Sequence, residues 1–296
     1  MTWSPGAWLG RPQPLDPVQD AGPQLRAQVR RLGIRARRAM ESGLTGQYHS
    51  AFRGLGLEFE EVREYRSGDD IRTIDWNVTA RTGDLHVKRF REERDLTTLL
   101  VVDLSASTRF GSGVMTVHDL IAEVASLFAL AAARRDRVGA ILFDDRVRTV
   151  IPPRHGWRHG MRVVREVLGA VPAGRGTAFA EAVRAAGRLL RRRGIVVAIV
   201  DATCPMPRRE LAALGGRHEV VVARASDPLL GRVPGGLQLP TVDPERRRRA
   251  VAAGRRDHRP EPPPVGIDVV ELATDSDYLP ALRALFERRE RRRARR

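Results

Sequence analysis

The nine residues Leu99–Ser107, with the sequence LLVVDLSAS, decide how this chain folds. Four consecutive apolar residues flanked by polar ones are typical of a strand buried on both faces. Ligands of open α/β sheets bind beyond the carboxyl ends of the strands, which is where Asp103, Ser105 and Ser107 follow this strand. Carboxylate and hydroxyl oxygens suit Mg²⁺ or Ca²⁺. The same residue types are also good N-caps and turn formers, so this stretch alone leaves both interpretations open.

Strand and helix patterns alternate along the chain after this stretch. Apolar runs predict strands at residues 138–143, 147–151, 195–200, 219–223 and 265–272. Helical spacing of apolar residues predicts helices at residues 115–134, 155–171, 179–193, 208–214 and 278–289. The alternation predicts a Rossmann-like α/β domain over residues 97–290, with a mainly parallel sheet and helices on both faces. Residues 227–264 are predicted to form a loop, with a short helix from Glu245 to Ala253 as an option within it.

The sequence before this domain predicts a leader and a small strand-rich segment. Residues 1–23 contain several Pro and Gly and are predicted to be poorly ordered. Residues 24–96 form the next unit, which opens with a basic amphipathic helix over Leu25–Met40. Short alternating segments then predict strands, joined by turns at Ser67-Gly68 and Thr82-Gly83. Residues 291–296 are predicted to be a basic tail.

Charged residues of both signs precede a tryptophan in the strand-rich segment. These charged residues are Arg63, Arg66, Asp69, Asp70, Arg72 and Asp75. Their spacing is consistent with a structural ion-pair network, and also with a docking surface in which Arg and aromatic residues serve as anchors. Trp76 is interpreted as a packing anchor rather than as a platform for a ligand.

The formal net charge of +16 is carried almost entirely by arginine, because Lys88 is the only lysine. So general a bias toward arginine weakens a nucleic-acid interpretation, which nevertheless stays an alternative. Cys204 is the only cysteine, which excludes disulfide frameworks and thiolate metal sites. No run approaches the roughly 18 apolar residues that cross a bilayer. The N-terminus lacks the order of a signal peptide, so a cytoplasmic location is expected.

Two further residues extend the predicted oxygen cluster. Asp201 follows the most apolar strand of the chain, as Asp103 follows its own strand, and neighbouring strands would bring both carboxylates to one crevice. Thr177 lies in a Gly-rich loop before a helix, where it presents a hydroxyl to the same edge or acts as an N-cap. The two carboxylates of the set would balance a Mg²⁺ ion, which leaves a position for an acidic side chain of a partner.

Two motifs carry a resemblance to known families. Asp-x-Ser-x-Ser, followed by a loop Thr and a strand-end Asp, resembles the metal-ion-dependent adhesion site of von Willebrand factor A-type domains. The upstream stretch Arg63–Arg81, REYRSGDDIRTIDWNVTAR, resembles the domain of unknown function 58 family, whose members are typically encoded beside MoxR-type AAA+ ATPases. The resemblance covers roughly Ser42 to the last helix, and it implies a von Willebrand factor A-like fold with Mg²⁺ at the top of the sheet.

The resemblance also implies a role for each residue of the cluster. The hydroxyls of Ser105, Ser107 and Thr177 would coordinate the metal directly, and Asp103 and Asp201 directly or through water. Mg²⁺ is the expected ion, with Ca²⁺ or Mn²⁺ as alternatives.

The leading functional hypothesis is a non-enzymatic, Mg²⁺-dependent protein-binding module. Its partner would offer a Glu or Asp, and the resemblance implies a MoxR-type ATPase or its client. The alternatives are a metal-assisted phosphohydrolase that uses Asp103, or a nucleic-acid-binding protein. Ser105 stands where an Asp-x-Asp nucleophile motif needs its second acid. ATP hydrolysis is not expected, because Lys88 does not lie in a P-loop.

Overall fold

A computed structural model describes residues 43–52, 57–92, 96–174, 176–229, 238–243, 248–253 and 263–294. The leader at residues 1–23, the helix predicted over Leu25–Met40 and the last two residues of the basic tail lie outside these ranges. Two 3₁₀ turns, Ile71–Thr73 and Ala106–Arg109, accompany the regular elements. In chain order these elements are α1 (Leu44–Phe52), β1 (Leu57–Glu64), α2 (Trp76–Thr82), β2 (His86–Glu92), β3 (Thr97–Asp103), α3 (Val117–Ala132), β4 (Arg137–Phe143), β5 (Val147–Arg154), α4 (Trp157–Gly169), α5 (Phe179–Leu189), β6 (Ile195–Asp201), α6 (Arg208–Gly215), β7 (Glu219–Ser226), β8 (Gln238–Asp243), β9 (Arg248–Ala253), β10 (Ile267–Ala273) and α7 (Leu279–Ala294).

A six-stranded sheet in the order β10-β7-β6-β3-β4-β5 forms the centre of the molecule. All neighbouring strands in it are parallel except β5, which pairs antiparallel to β4 at the edge. The predicted α/β fold with a mainly parallel sheet is therefore confirmed. The strands β3 and β6 pair directly, with Val102 opposite Ile199, so their carboxyl ends lie side by side.

Helices cover both faces of the sheet because the side chains of each strand alternate between them. On one face, Leu100 and Val102 of β3 join the apolar cluster that contains the buried residues of α3, α4 and α7. On the other face, Leu99 and Val101 join the cluster of α5 and α6. All four β3 side chains are fully buried, which explains why this strand reads as an unbroken apolar run.

Helix α1 packs on the C-terminal helix α7 through aromatic side chains. The rings of Tyr48 and Phe52 each lie 6.1 Å from the ring of Phe286, in edge-on orientation. The Tyr48 hydroxyl is 2.6 Å from Thr98 Oγ1 at the start of β3. The apolar pattern predicts no helix at α1, and α7 continues beyond its predicted end at Arg289. Arginines at a helix C-terminus interact favourably with the helix dipole, which accounts for that extension.

The strand-rich segment contains the predicted strands β1 and β2, which pair antiparallel. The chain between them differs from the prediction, since residues 76–82 form α2. Asp75 caps this helix by accepting hydrogen bonds from the amides of Asn77 and Val78, and Gly83 ends it with a φ of 85°. The interpretation of Trp76 as a packing anchor is wrong, because 65% of its surface is exposed.

The prediction of a short helix from Glu245 to Ala253 is also wrong for the residues of this range that the structure describes. Residues Arg248–Ala253 form the strand β9. It pairs antiparallel with β8 (Gln238–Asp243), with no break in the register. Alanine and arginine favour a helix locally, but cross-strand backbone hydrogen bonds override so weak a preference. None of the helices in the described ranges is long and apolar enough to span a membrane.

Helix α3 follows the Asp-x-Ser-x-Ser loop and begins with a capping box. Thr116 Oγ1 accepts a hydrogen bond from the Asp119 amide at 3.1 Å, and the Asp119 carboxylate accepts one from the Thr116 amide at 2.9 Å.

We expect Thr116→Ala to lower the free energy of unfolding by about 1 kcal/mol, because the amide of Asp119 loses its acceptor. Urea denaturation would measure this change. Thr116→Ser keeps the acceptor and serves as the control, and equal stability of the two variants would contradict the assignment of the cap.

Candidate metal centre

The carboxylate of Asp103 connects the ends of β3 and β6. It is fully buried. Its Oδ1 accepts the Ser105 amide at 2.8 Å, and its Oδ2 accepts the Asp201 amide at 3.3 Å. The first bond shapes the turn that follows β3, and the second couples this turn to the neighbouring strand. Asp103 therefore fixes the positions of both segments that carry the predicted oxygen ligands.

The two serine hydroxyls lie next to each other in the turn after β3. Ser105 begins the 3₁₀ turn Ala106–Arg109, but its side chain forms no cap hydrogen bond there. The turn is held instead by Thr108, whose hydroxyl donates to the Ser105 carbonyl at 2.8 Å. Ser105 Oγ lies 3.1 Å from Ser107 Oγ. The two hydroxyls thus lie close together, and Ser105 Oγ is not used to cap the turn.

Asp201 lies at the end of β6 and is also buried. Its Oδ1 accepts the amide and the hydroxyl of Thr203, at 2.7 and 2.8 Å. Arg224 of β7 donates to the carbonyl of Ala202 and forms an ion pair with Glu271, so it supports the turn after β6. Among the described residues, Asp201 Oδ2 has no hydrogen-bond donor, which leaves this oxygen for a ligand.

The loop that carries Thr177 is anchored to the same edge of the sheet at both ends. Ala173 forms a bridge with Ser105, and its amide donates to the Leu104 carbonyl at 2.9 Å. The amide of Ala178 donates to the Asp144 carbonyl at 2.6 Å. Thr177 is half-buried between these anchors. Its alternative role as an N-cap is wrong, because Ala178 occupies that position and forms no side-chain cap.

The structure thus brings four of the five predicted residues into one hydrogen-bonded group, consisting of Asp103, Ser105, Ser107 and Asp201. No hydrogen bond within the described residues joins Thr177 to this group. Its backbone lies at the same edge, held there by Ala173 and Ala178. Thr177 therefore remains a prediction with a favourable backbone position.

The electrostatics of the group are those of an uncompensated negative site. Burial raises the pKa of Asp103 to about 6, and the nearby charge of Asp201 adds to this effect. Hydrogen bonds from Ser105 and the Asp201 amide oppose it only in part. Among the described residues, no arginine or lysine forms an ion pair with either carboxylate. Buried charges in proteins are normally paired or bind a metal, so this site has the charge that a cation would balance.

Two other carboxylates at strand ends, those of Asp144 and Asp227, are not among the predicted site residues. Asp144 follows β4 and is held by Arg148 Nε, which lies 2.7 and 2.6 Å from its two oxygens. Asp227 follows β7 and accepts hydrogen bonds from Ser112, Leu229 and Thr274. Both are acidic residues directly after an apolar strand, the same signal that identified Asp103 and Asp201. Their carboxylates are satisfied by protein groups and serve to anchor the surrounding loops.

The described residues contain no group of three or more His, Cys, Asp or Glu side chains that could hold a metal. The predicted set has two carboxylates and three hydroxyls, so it falls outside that class. Its oxygen-only composition fits Mg²⁺, Ca²⁺ or Mn²⁺ rather than zinc.

Comparison with known proteins identifies the family. A family model described as "Protein of unknown function DUF58" matches residues 61–260. The uncharacterized protein Rv1480 of Mycobacterium tuberculosis is 34% identical over 276 residues, which cover 87% of each chain. Among solved structures, BatB of Bacteroides thetaiotaomicron has a TM-score of 0.44 at 15% identity, covering 66% of this chain and 99% of that one. The VWA domain of SpRpn10 has a TM-score of 0.39 at 13% identity, covering 65% and 94%. On the family match and the identity to Rv1480, the chain belongs to the DUF58 family.

Proposed function

We propose that this protein is a divalent-cation-dependent protein-binding module that takes an acidic side chain of its partner. Ser105, Ser107 and Thr177 would hold the cation through their hydroxyls, and Asp103 and Asp201 directly or through water. A bound Mg²⁺ would supply positive charge and an open coordination position for a carboxylate. This module acts by binding and not by catalysis.

The observation that carries the proposal is the unpaired charge of two buried carboxylates. Asp103 and Asp201 are the last residues of the adjacent parallel strands β3 and β6, and within the described residues no cationic side chain forms an ion pair with them. The neighbouring hydroxyls of Ser105 and Ser107 supply neutral oxygens without adding repulsion. Such a donor set is suited to a small hard cation.

The partner we propose is a MoxR-type AAA+ ATPase or one of its clients, since DUF58 proteins are typically encoded beside such ATPases. The chain's own residues would define the docking position. Asp103 and Asp201 orient the turns after β3 and β6, and the anchors at Ala173 and Ala178 hold the Thr177 loop against them.

Binding of the cation can be tested separately from binding of the partner. Millimolar Mg²⁺ added to chelator-treated protein should raise the midpoint of thermal unfolding by about 4 °C, since a ligand specific for the native state stabilises it. Ser107→Ala should abolish the rise. Ser226→Ala is the matched control, because its hydroxyl lies at the end of β7 and donates to the Leu272 carbonyl. An equal rise in both variants would disprove the assignment of the ligands.

Capture of the purified MoxR-type ATPase encoded nearest to this chain tests the partner. Retention in Mg²⁺ and loss in chelator is the expected result, with no retention by the Ser107→Ala variant in either buffer. Equal retention by wild type and variant would show that the ATPase binds elsewhere.

A further inference from the structure

A group of exposed arginines lies where β4 begins and β5 ends. Arg137 is the first residue of β4 and Arg154 is the last residue of the antiparallel strand β5, with Val138 opposite Arg154. Arg137 Nε donates a hydrogen bond to His155 Nε2 at 2.9 Å, which joins the two strand ends. Because β4 runs parallel to β3, this edge of the sheet is the end opposite to the candidate metal centre.

Two helix ends meet the sheet at the same place. Gly160 of α4 packs directly on Ala133, the residue after α3, because a Cβ atom added at Gly160 would lie 2.5 Å from the Ala133 Cβ. This contact brings the two exposed residues after Ala133 next to the first two residues of α4, which are also exposed. We call the exposed residues at this junction the basic corner, which consists of Arg134, Arg135, Arg137, Arg154, Trp157 and Arg158.

The arginines of the basic corner have no carboxylate partners. Exposed arginines elsewhere pair with acids, as Arg184 does with Glu210 at 2.8 Å and Arg193 with Glu219 at 2.6 Å. Within the part of the chain that the structure describes, none of the arginines of the basic corner forms an ion pair. The general excess of arginine in the sequence therefore does not account for this group, which carries its charge uncompensated.

The acidic residues around the basic corner do not offset this charge. Asp136 is only 2% exposed, and its carboxylate lies 3.8 Å from His49 Nδ1 of α1. Helix α1, which this contact brings to the same region, contains no acidic residue. Glu166 lies two turns further along α4 and is 4.0 Å from Arg162. The two acids that follow β4 lie at the other end of that strand. The described surface at this corner is therefore positive.

An aromatic ring lies among these cations, since Trp157 is 49% exposed. Proteins that bind single-stranded nucleic acids combine a positively charged surface, which contacts phosphates, with aromatic rings on which unpaired bases stack. We propose that the basic corner binds single-stranded nucleic acid through phosphate contacts and one stacked base. This binding needs no divalent cation and does not select a base sequence.

Other anionic partners match the basic corner less well. A membrane surface is bound by a broad apolar face next to cations, whereas Trp157 is the one large apolar side chain exposed among the described residues of this corner. A protein interface has an apolar centre with a polar rim, which a single ring among five arginines does not provide. A nucleic-acid duplex has its bases paired and offers no free base for the ring of Trp157.

The test measures binding of a fluorescein-labelled oligothymidylate to the full chain in chelator, by fluorescence anisotropy at several salt concentrations. Arg137→Ala/Arg158→Ala should bind about tenfold more weakly than wild type near physiological salt. The slope of log K against log salt should fall by about 1.4, because each lost phosphate contact to a single strand removes about 0.7. Trp157→Ala should also bind about tenfold more weakly, but with an unchanged slope, and Trp157→Phe should retain most of the affinity.

Arg188→Ala/Arg209→Ala is the matched control, because it removes the same charge from exposed positions of α5 and α6, on the other face of the sheet. It should bind as wild type does, and so should Ser107→Ala, which separates this surface from the proposed metal centre. An equal loss in the control would attribute binding to net charge and overturn the proposal.

The proposal is also overturned if the wild type does not bind the oligothymidylate or if Trp157→Ala binds it as tightly as wild type. Competitors of equal charge identify the kind of anion. Unlabelled oligothymidylate should displace the labelled strand better than a DNA duplex, polyglutamate, or vesicles of equal parts phosphatidylcholine and phosphatidylserine. Equal or better displacement by any of these three would assign the basic corner to that class of partner instead.

Discussion

Asp103→Asn is expected to make the cation-free protein more stable by about 2 kcal/mol and to abolish its stabilisation by Mg²⁺. The pKa of Asp103 is raised from 3.8 to about 6 by burial, which corresponds to about 3 kcal/mol of unfavourable free energy for the charged form at neutral pH. The asparagine amide is a poorer partner for the Asp201 amide, at a cost of about 1 kcal/mol. A residue that lowers the stability of its own fold is typical of a functional site.

The pH dependence of this effect follows from the sign of the shift. Because the native state holds the Asp103 proton more tightly than the unfolded state, the native protein loses stability as the pH rises from about 4 to about 6. The stability gained by Asp103→Asn should therefore be largest at pH 7 and vanish near pH 4. Urea denaturation of wild type and variant in chelator, across this pH range, measures the difference.

Asp227→Asn is the control for Asp103→Asn. Asp227 is also a buried carboxylate at the end of a strand, but its pKa is lowered rather than raised. Burial opposes its charge, but hydrogen bonds from Ser112, Leu229 and Thr274 outweigh this and lower its pKa. Removing its charge should cost about 2 kcal/mol and leave the response to Mg²⁺ intact. If Asp103→Asn destabilised the protein as much as Asp227→Asn does, the idea of an uncompensated charge at Asp103 would be wrong.

The sequence predicts the sheet well because its strands are buried on both faces. Continuous apolar runs such as Ile195–Asp201 leave little ambiguity once helices alternate with them, and the observed bounds differ mainly at the ends. The errors fall where local preferences are weak. Arg248–Ala253 has helix-favouring residues but pairs with β8, and Trp76–Thr82 becomes a helix because Asp75 caps it. Neither outcome is visible in the periodicity of apolar residues.

At the candidate site, spacing predicts which strands end in acids but not which acids are compensated. Asp103 and Asp201 are the last residues of strands of the central sheet, and Asp144 and Asp227 directly follow two others. Only the three-dimensional structure distinguishes Asp144, which forms an ion pair with Arg148 of β5, and Asp227, which accepts hydrogen bonds from Ser112 and Thr274. Ser112 and Thr274 lie far from Asp227 along the chain, and the orientation of Arg148 toward Asp144 is not given by its spacing. Sequence spacing therefore gives no indication of these partners.

The ion pairs at the opposite end of the sheet hold the C-terminal helix in place through one buried arginine. Arg289 of α7 is almost fully buried and pairs with Asp268 of β10 and Glu219 of β7. Its guanidinium also lies 4.5 Å above the centre of the Phe52 ring of α1. Each carboxylate has a second, exposed partner, which is Arg193 for Glu219 and Arg292 for Asp268.

We expect Arg289→Ala to lower the free energy of unfolding by about 3 kcal/mol, because two partly buried carboxylates lose their buried cation and α1 loses a packing contact. The matched controls Arg193→Ala and Arg292→Ala remove exposed partners of the same carboxylates and should each cost less than about 1 kcal/mol.

Burial works against the charge of Glu219, but Arg289 and Arg193 outweigh it and lower the pKa of this residue from 4.5. The stability that Glu219 contributes is thus present above pH 4.5 and is lost as the pH falls through its lower native pKa, so the wild type and Arg289→Ala should converge in acid. Urea denaturation at pH 7 and in acid measures both effects, and a loss for Arg289→Ala no larger than that for Arg193→Ala would contradict this role of the buried arginine.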